Sequence, residues 1–360
     1  MSKKTYRVEY DLIRVLAMLC VVWFHFHVGL MEFGIQSPVM LRNAGENLTF
    51  GQQGVVLFFI LSGATSCMSY ERCLRNNKER GIRGAVVSYY NKRLWALLPL
   101  FWIGYFVAYI LIYLPHGGRM EYSPVYTLLG LDGYLMMRGI KTNYQVGEWF
   151  MGAILLLYLA FPMLYHLIRK WPKRTMLLLV LGYILITECF PFDWPKETWA
   201  LLRMFDLAVG ICFGLYIHTI SWKAAAAAAA VCVVTVFVKL PGDNMYAVLL
   251  QGISLFVVLH WIGQWIGEQC GRGWDALRIG LKKISGYAYA VFLIHHIIMN
   301  RALLPFSGQG WGYRIYVDKF LYVMILIAVS SVLLQGAGTQ VTESARTWIC
   351  GIRNRKCKKT

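Results

Sequence analysis

Apolar runs of about 20 residues recur from Leu12 to Met324 and beyond, each long enough to cross ~30 Å of hydrocarbon as a helix. In lipid every backbone N–H and C=O must be satisfied within the protein, so repeated runs of this length predict spanning helices. The expectation is an all-α, polytopic integral membrane protein of about ten transmembrane helices, at 12–30, 54–70, 94–114, 149–168, 175–190, 199–217, 224–240, 245–266, 285–304 and 318–337. The fifth is short, and the seventh opens on an alanine run from Ala224 to Ala230 before a Val-rich stretch. No stretch remains for a soluble domain. Residues 1–345 are expected to form one transmembrane domain, followed by a basic cytoplasmic tail at 346–360. Composition agrees, since 58% of the 360 residues are hydrophobic, against roughly 45–50% in an average soluble domain.

The formal net charge is +18, which in a soluble protein would point to nucleic acid or another polyanion. Its placement argues otherwise. Lys3, Lys4 and Arg7 precede the first span, and Arg72, Arg75, Lys78, Arg80, Arg83, Lys92 and Arg93 lie between the second and third. Further clusters are Arg169, Lys170, Lys173 and Arg174, then Arg272, Arg278, Lys282 and Lys283, and finally Arg346, Arg353, Arg355, Lys356, Lys358 and Lys359. All fall on alternate loops, the positive-inside pattern, which predicts an even number of spans with both termini in the cytoplasm and no nucleic-acid partner. The nine cysteines are scattered, without a C-x-x-C pair or a His/Cys spacing suited to a metal, so no metal is expected. The charged amino terminus enters the first span without an A-x-A-like cleavage site, so that span is expected to be retained.

The intervals 31–53 and 115–147 fall on the outer side in this topology and are too long for tight turns. The second mixes Gly117, Gly118, Gly130, Gly133 and Gly139 with Leu128, Leu129, Leu135 and Met136, which fits either a re-entrant or interfacial segment or a disordered outer loop. No internal repeat is visible.

Ionisable groups within spans are costly and mark candidate sites. Arg14 and His25 are eleven residues apart on the first span. At ~100° and ~1.5 Å per residue they differ by only ~20° around the helix and ~16.5 Å along it, so they share one stripe at two depths. Asp11 lies one turn from Arg14 and can pair with it at the cytoplasmic boundary. His27 is about 200° from His25 and faces elsewhere. An imidazole can take a proton from an alcohol near neutral pH, but a buried histidine can equally be a hydrogen-bonding core residue, and spacing alone leaves His25 open between the two. Glu148, at the outer start of the fourth span, can either meet His25 from above and handle an acceptor hydroxyl or act as a solvated cap. Arg203 and Asp206, spaced i,i+3 in the sixth span, read as a structural ion pair. Ser62 lacks spaced His/Asp partners, and Gly63 beside it suggests close helix packing. His295 and His296 begin an H-H-x-x-x-D-like run whose last position is Asn300, so that acyltransferase signature does not hold, although His295 can still line a site.

The run Tyr10-Asp11-Leu12-Ile13-Arg14-Val15-Leu16-Ala17 with Val21, Val22 and His25 resembles the opening of the acyltransferase-3 family, whose signature is Arg or Lys, ten residues, then His. Phe58-Phe59-Ile60-Leu61-Ser62-Gly63 resembles its F-F-x-L-S-G, and Tyr90-Asn91-Lys92-Arg93-Leu94 with Pro99 resembles its basic opening of the third helix. Gly147-Glu148-Trp149-Phe150 with Tyr158 and Pro162 is similar to its W-F…Y…P helix, and Phe292-Leu293-Ile294-His295 to its late Y-L-I-H. Five matches in order cover most of the chain. One departure is Ala96, where the family often has a second Arg three residues after the first. The chain stops at Thr360 without a hydrolase-like extension, so it resembles the membrane-only branch.

The resemblance implies a bacterial cytoplasmic-membrane enzyme that moves an acyl group from acyl-CoA, commonly acetyl-CoA, to a hydroxyl of a cell-envelope polysaccharide or lipid-linked glycan. The implied catalytic residues are His25, as general base or as an acyl carrier, and Glu148. Arg14, Lys92 and Arg93 would hold the CoA phosphates by charge-assisted hydrogen bonds. The implied partners are the lipid bilayer, acyl-CoA and a saccharide acceptor. The rival class is a transporter or flippase without group transfer, since intramembrane His and Arg also mark substrate pathways.

Overall fold

Within the described stretches every regular element is helical, apart from one isolated parallel bridge between Gln36 and Gly310. The computed structural model describes residues 7–38, 50–114, 122–143, 146–191, 194–238 and 240–357. The helices are α1 (Val8–Glu32), α2 (Gly51–Asn76), α3 (Gly81–Ala108), the short α4 (Pro124–Leu128) and α5 (Asp132–Met136), then α6 (Glu148–Lys170) and α7 (Pro172–Cys189). They continue with α8 (Ala200–Leu215), α9 (Trp222–Phe237), α10 (Asn244–Glu268), α11 (Arg272–Leu303) and α12 (Tyr313–Cys357). The all-α, membrane-spanning expectation therefore holds.

Seven helices, α1, α2, α3, α6, α10, α11 and α12, are long and apolar enough to cross a bilayer. The fifth, sixth and seventh expected spans coincide with α7, α8 and α9, of 18, 16 and 16 residues. Sixteen residues reach only about 24 Å, short of ~30 Å of hydrocarbon. Among the described residues seven helices qualify as candidate crossings by length and composition, and the count of about ten stays an expectation. α12 runs without a break through the expected boundary at 345.

Local chemistry sets the helix ends. Ser221 caps α9 by accepting from the Ala224 N–H, and Asp243 caps α10 by accepting from the Met245 N–H. Pro172 occupies the first turn of α7, where its missing N–H costs nothing. Gly147 takes φ 78° to open α6, a conformation that disfavours any side chain. Within α6, Pro162 removes one donor from the ladder, and the Tyr90 hydroxyl of α3 donates to the nearby Leu159 carbonyl at 2.8 Å.

Small residues then let the helices close on one another. A Cβ on Gly63 would lie 2.1 Å from the Leu207 carbonyl oxygen, and one on Gly210 would lie 1.9 Å from that of Ile60, so α2 and α8 cross backbone to backbone. This is the close packing expected of Gly63. Across the same interior, Gln53 Nε2 donates to Gln251 Oε1 at 2.6 Å, and Gln251 Nε2 donates to the Thr235 carbonyl at 2.7 Å, tying α2, α10 and α9 together. The central helix α1 packs against α2, α10 and α11.

Helix directions gather the basic loops. Glu9 of α1 meets Gly263 near the end of α10, while Gly29 of α1 meets Leu303 at the end of α11. The clusters around Arg72–Arg83, Arg169–Arg174 and Arg272–Lys283 consequently share the end of the bundle where α1 begins. At the opposite end, residues 122–143 of the long outer interval form α4 and α5 and dock on the bundle. Arg138 stacks its guanidinium 3.5 Å from the Tyr134 ring centroid and donates to the Thr198 carbonyl at 2.9 Å. A disordered outer loop is thus excluded for 122–143. The flanking 115–121 and 144–145 lie outside the described residues, as do 39–49 of the other interval.

Candidate active site

Arg14 and His25 face the same side of α1, and α11 supplies a partner at each level. Near the basic end, Arg14 Nη1 donates to Asp11 Oδ1 at 3.1 Å, the expected pairing, and lies 3.5 Å from Ser285 Oγ of α11. The Ser285 hydroxyl also donates to that Asp11 oxygen, so the ion pair is anchored to α11. Deeper in the bundle, His25 Nδ1 lies 3.0 Å from Nε2 of His295. His27 behaves as its phase requires. It is 2% exposed, with Nδ1 2.9 Å from the Trp23 carbonyl and Nε2 3.0 Å from the Tyr316 hydroxyl of α12.

The hydrogen bonds assign the tautomers. His295 Nδ1 lies 3.1 and 2.9 Å from the carbonyl oxygens of Val291 and Phe292, which can only accept, so Nδ1 carries the proton. In the neutral ring Nε2 then accepts, and the proton between the histidines belongs to His25 Nδ1, which also lies 3.1 Å from the Val21 carbonyl. Neutral His25 accordingly carries its lone pair on Nε2. His295 is 0% exposed, so its ring is held fully within the bundle. The ring of His296 also approaches His25, with centroids 5.3 Å apart.

A cavity of about 300 Å³ lies between α1, α2, α3, α6 and α11, with Arg14, Ser62, Thr65, Arg93, Tyr158 and Tyr289 as its polar walls. Arg93 Nη2 donates to Ser66 Oγ at 2.8 Å, and the guanidinium sits 4.8 and 5.5 Å from the ring centroids of Tyr158 and Tyr89. These partners are neutral, so none of them cancels its charge, and Arg93 Nε is buried without a hydrogen-bond partner among the described residues. That is a fixed cation with donor capacity to spare. Phe292 closes the far wall, its ring centroid 4.8 Å from Phe150 and 6.1 Å from His295. The histidine pair therefore lies directly beyond the Phe292 ring.

The structure brings Arg14 and Arg93 together on one cavity, whereas His25 does not line it and is linked to its Phe292 wall through His295. It does not bring Lys92 to them. Lys92 Nζ donates to Cys73 Sγ at 3.3 Å and lines a separate groove. Glu148 is the first residue of α6, at the end of the bundle opposite the basic loops, and its side chain lies outside the described residues. Arg203 and Asp206 pair at 3.0 Å with side chains 1% and 0% exposed, as expected of a structural ion pair. Ala96, the departure from the family pattern, lines the cavity. Sequence reasoning undervalued His295 and missed Ser285. Both lie on one stripe of α11 with Ala288 and Phe292, a spacing that could have flagged them.

The family model described as an acyltransferase domain matches residues 7–336. Among curated proteins, the acyltransferase MdmB of Streptomyces mycarofaciens is 24% identical over 200 residues, which is 49% of this chain and 49% of that protein. The chain thus spans about half the length of that relative. No solved structure matches it. With the acyltransferase model matching nearly its whole length, the chain belongs to the acyltransferase-3 family.

Proposed function

We propose that this protein is a membrane O-acyltransferase that moves an acyl group, in the simplest case acetyl, from acyl-CoA to a hydroxyl of a cell-envelope polysaccharide or lipid-linked glycan. The observation that carries the reading is the cavity whose walls hold Arg14 and Arg93 and whose far wall, Phe292, touches His295 of the histidine pair. The axial offset of ~16.5 Å between Arg14 and His25 suits a donor held by its diphosphate at one end and reacting at the other. Arg14 and Arg93 hold that diphosphate, and the extended pantetheine arm spans the apolar wall of Phe58, Leu61 and Phe150. The basic end of the bundle then faces the cytoplasm, with both termini there, in a bacterial cytoplasmic membrane.

In the reaction, Nε2 of His25 takes the proton of the acceptor O–H as the oxygen attacks the thioester carbonyl carbon. The tetrahedral intermediate collapses with cleavage of the C–S bond. The departing CoA sulfur takes the proton back from His25, which leaves the ester, free thiol and neutral imidazole. His295 Nε2, accepting from His25 Nδ1–H, favours the imidazolium formed midway, because hydrogen bonds to charged groups are the stronger ones. A direct assay tests the reading. Purified protein with acetyl-CoA and an envelope glycan should release thiol in step with ester formation. Acceptor movement across the bilayer without thiol release would support a transporter instead.

A further inference from the structure

A larger cavity of about 620 Å³ opens at the basic end, where α2 turns into α3, and the mechanism above does not use it. Asn77, Arg80, Arg83, Asn91, Lys92 and Trp95 line it. Arg83, Val87, Asn91 and Trp95 recur at four-residue spacing and form one stripe of α3, with Arg80 at its N-cap. None of its lining residues is acidic. Topological anchoring asks only that Lys and Arg reach the headgroup layer. Here three cations converge on a concavity instead.

This groove is also joined to the site. Trp95 walls both it and a cavity of about 310 Å³ between α3, α11 and α12, which Ala96 and Tyr289 line as well. Ala96 and Tyr289 in turn wall the Arg14–Arg93 cavity. The three spaces follow one another along α3 through shared side chains.

We propose that this groove is the subsite for the 3′-phosphorylated adenosine end of the acyl-CoA donor. Arg80, Arg83 and Lys92 hold the ribose 3′-phosphate, the nucleoside lies beside Trp95, and the diphosphate continues to Arg93 and Arg14. The inference rests on the donor reading above. It adds that the enzyme distinguishes CoA from donors that lack the 3′-phosphate.

The test uses the full chain in phosphatidylcholine nanodiscs, with acetyl-CoA and its 3′-dephospho form as probes and equilibrium binding as the readout. Wild type should bind acetyl-CoA roughly tenfold tighter or more, the equivalent of one charge-assisted contact. The Arg80→Gln/Arg83→Gln variant should bind both probes alike, at the affinity wild type shows for the dephospho form. Equal affinity of wild type for the two probes overturns the subsite, as does a variant that loses both equally. A variant that keeps its acetyl-CoA affinity but no longer retains phosphatidylglycerol from mixed discs assigns the groove to a lipid headgroup and also overturns it. Should wild type bind neither probe, the donor reading itself fails, an outcome distinct from failure of the subsite alone.

Discussion

Replacing His25 and His295 singly and together tests the chemistry most directly. His25→Gln keeps some hydrogen bonding but cannot take a proton at neutral pH, so it removes a general base worth about 10²–10⁴ in rate. His295→Leu leaves the base in place and removes the acceptor 3.0 Å from His25 Nδ1. That nitrogen keeps the Val21 carbonyl at 3.1 Å, so the ground state loses little. What is lost is the difference between a neutral hydrogen bond, about 1 kcal/mol net, and one to the imidazolium, about 1.5–3 kcal/mol. A differential near 1.4 kcal/mol is roughly tenfold in kcat, with KM for the donor unchanged. Because His295 acts through His25, the double variant should fall no further than His25→Gln alone. Steady-state thiol release by the three variants, with thermal melting to check folding, makes the measurement. Losses that multiply in the double variant, or a His295→Leu enzyme with wild-type kcat, would refute the positioning role. A His27→Gln variant should lose stability through its Tyr316 contact and keep kcat. If it abolished turnover while His25→Gln retained it, the helical-phase argument would be wrong.

Arg14→Ala and Arg93→Ala should each raise KM for acyl-CoA by roughly tenfold to a hundredfold, for loss of a charged contact of about 1.5–3 kcal/mol. Lys92→Ala should do less, and unchanged donor kinetics in both Arg variants would make the basic mouth purely topological. Gly63→Ala forces a methyl to within 2.1 Å of the Leu207 carbonyl, so α2 and α8 must separate. The cost should be about 1–3 kcal/mol, read as a lowered melting temperature in detergent, and an unshifted transition would mean the crossing is looser than described. On a background lacking native cysteines, Leu129→Cys and Ile82→Cys, both exposed, should react with impermeant reagent from opposite sides of the membrane. Reaction of both from one side would sink the topology.

Helical phase is a local property, and what depended on it was readable. It placed Arg14 and His25 on one stripe, paired Asp11 with Arg14 and turned His27 away, all from positions within one helix. Applied with the same rigour it would also have separated Lys92 from Arg93, since neighbours on a helix point ~100° apart and cannot share one small cavity. The His25–His295 bond was hidden for a different reason. It joins residues 270 apart in sequence, and nothing local says that α11, rather than another span, lies against this face of α1. The outer segment escaped for want of periodicity, because α4 and α5 are five residues each and their order comes from Tyr134 packing on Gly152 and Arg138 reaching Thr198. Charge is the subtlest case. A basic loop that fixes topology and one that binds a phosphorylated donor need the same residue types at the same end of the bundle, so composition cannot tell them apart. Geometry can, because an anchor needs only depth whereas a binding site needs convergence. Arg93, set against Ser66 and two tyrosine rings rather than a carboxylate, meets the second requirement. Arg169, whose Nη1 donates to the Tyr165 hydroxyl on its own helix, meets only the first.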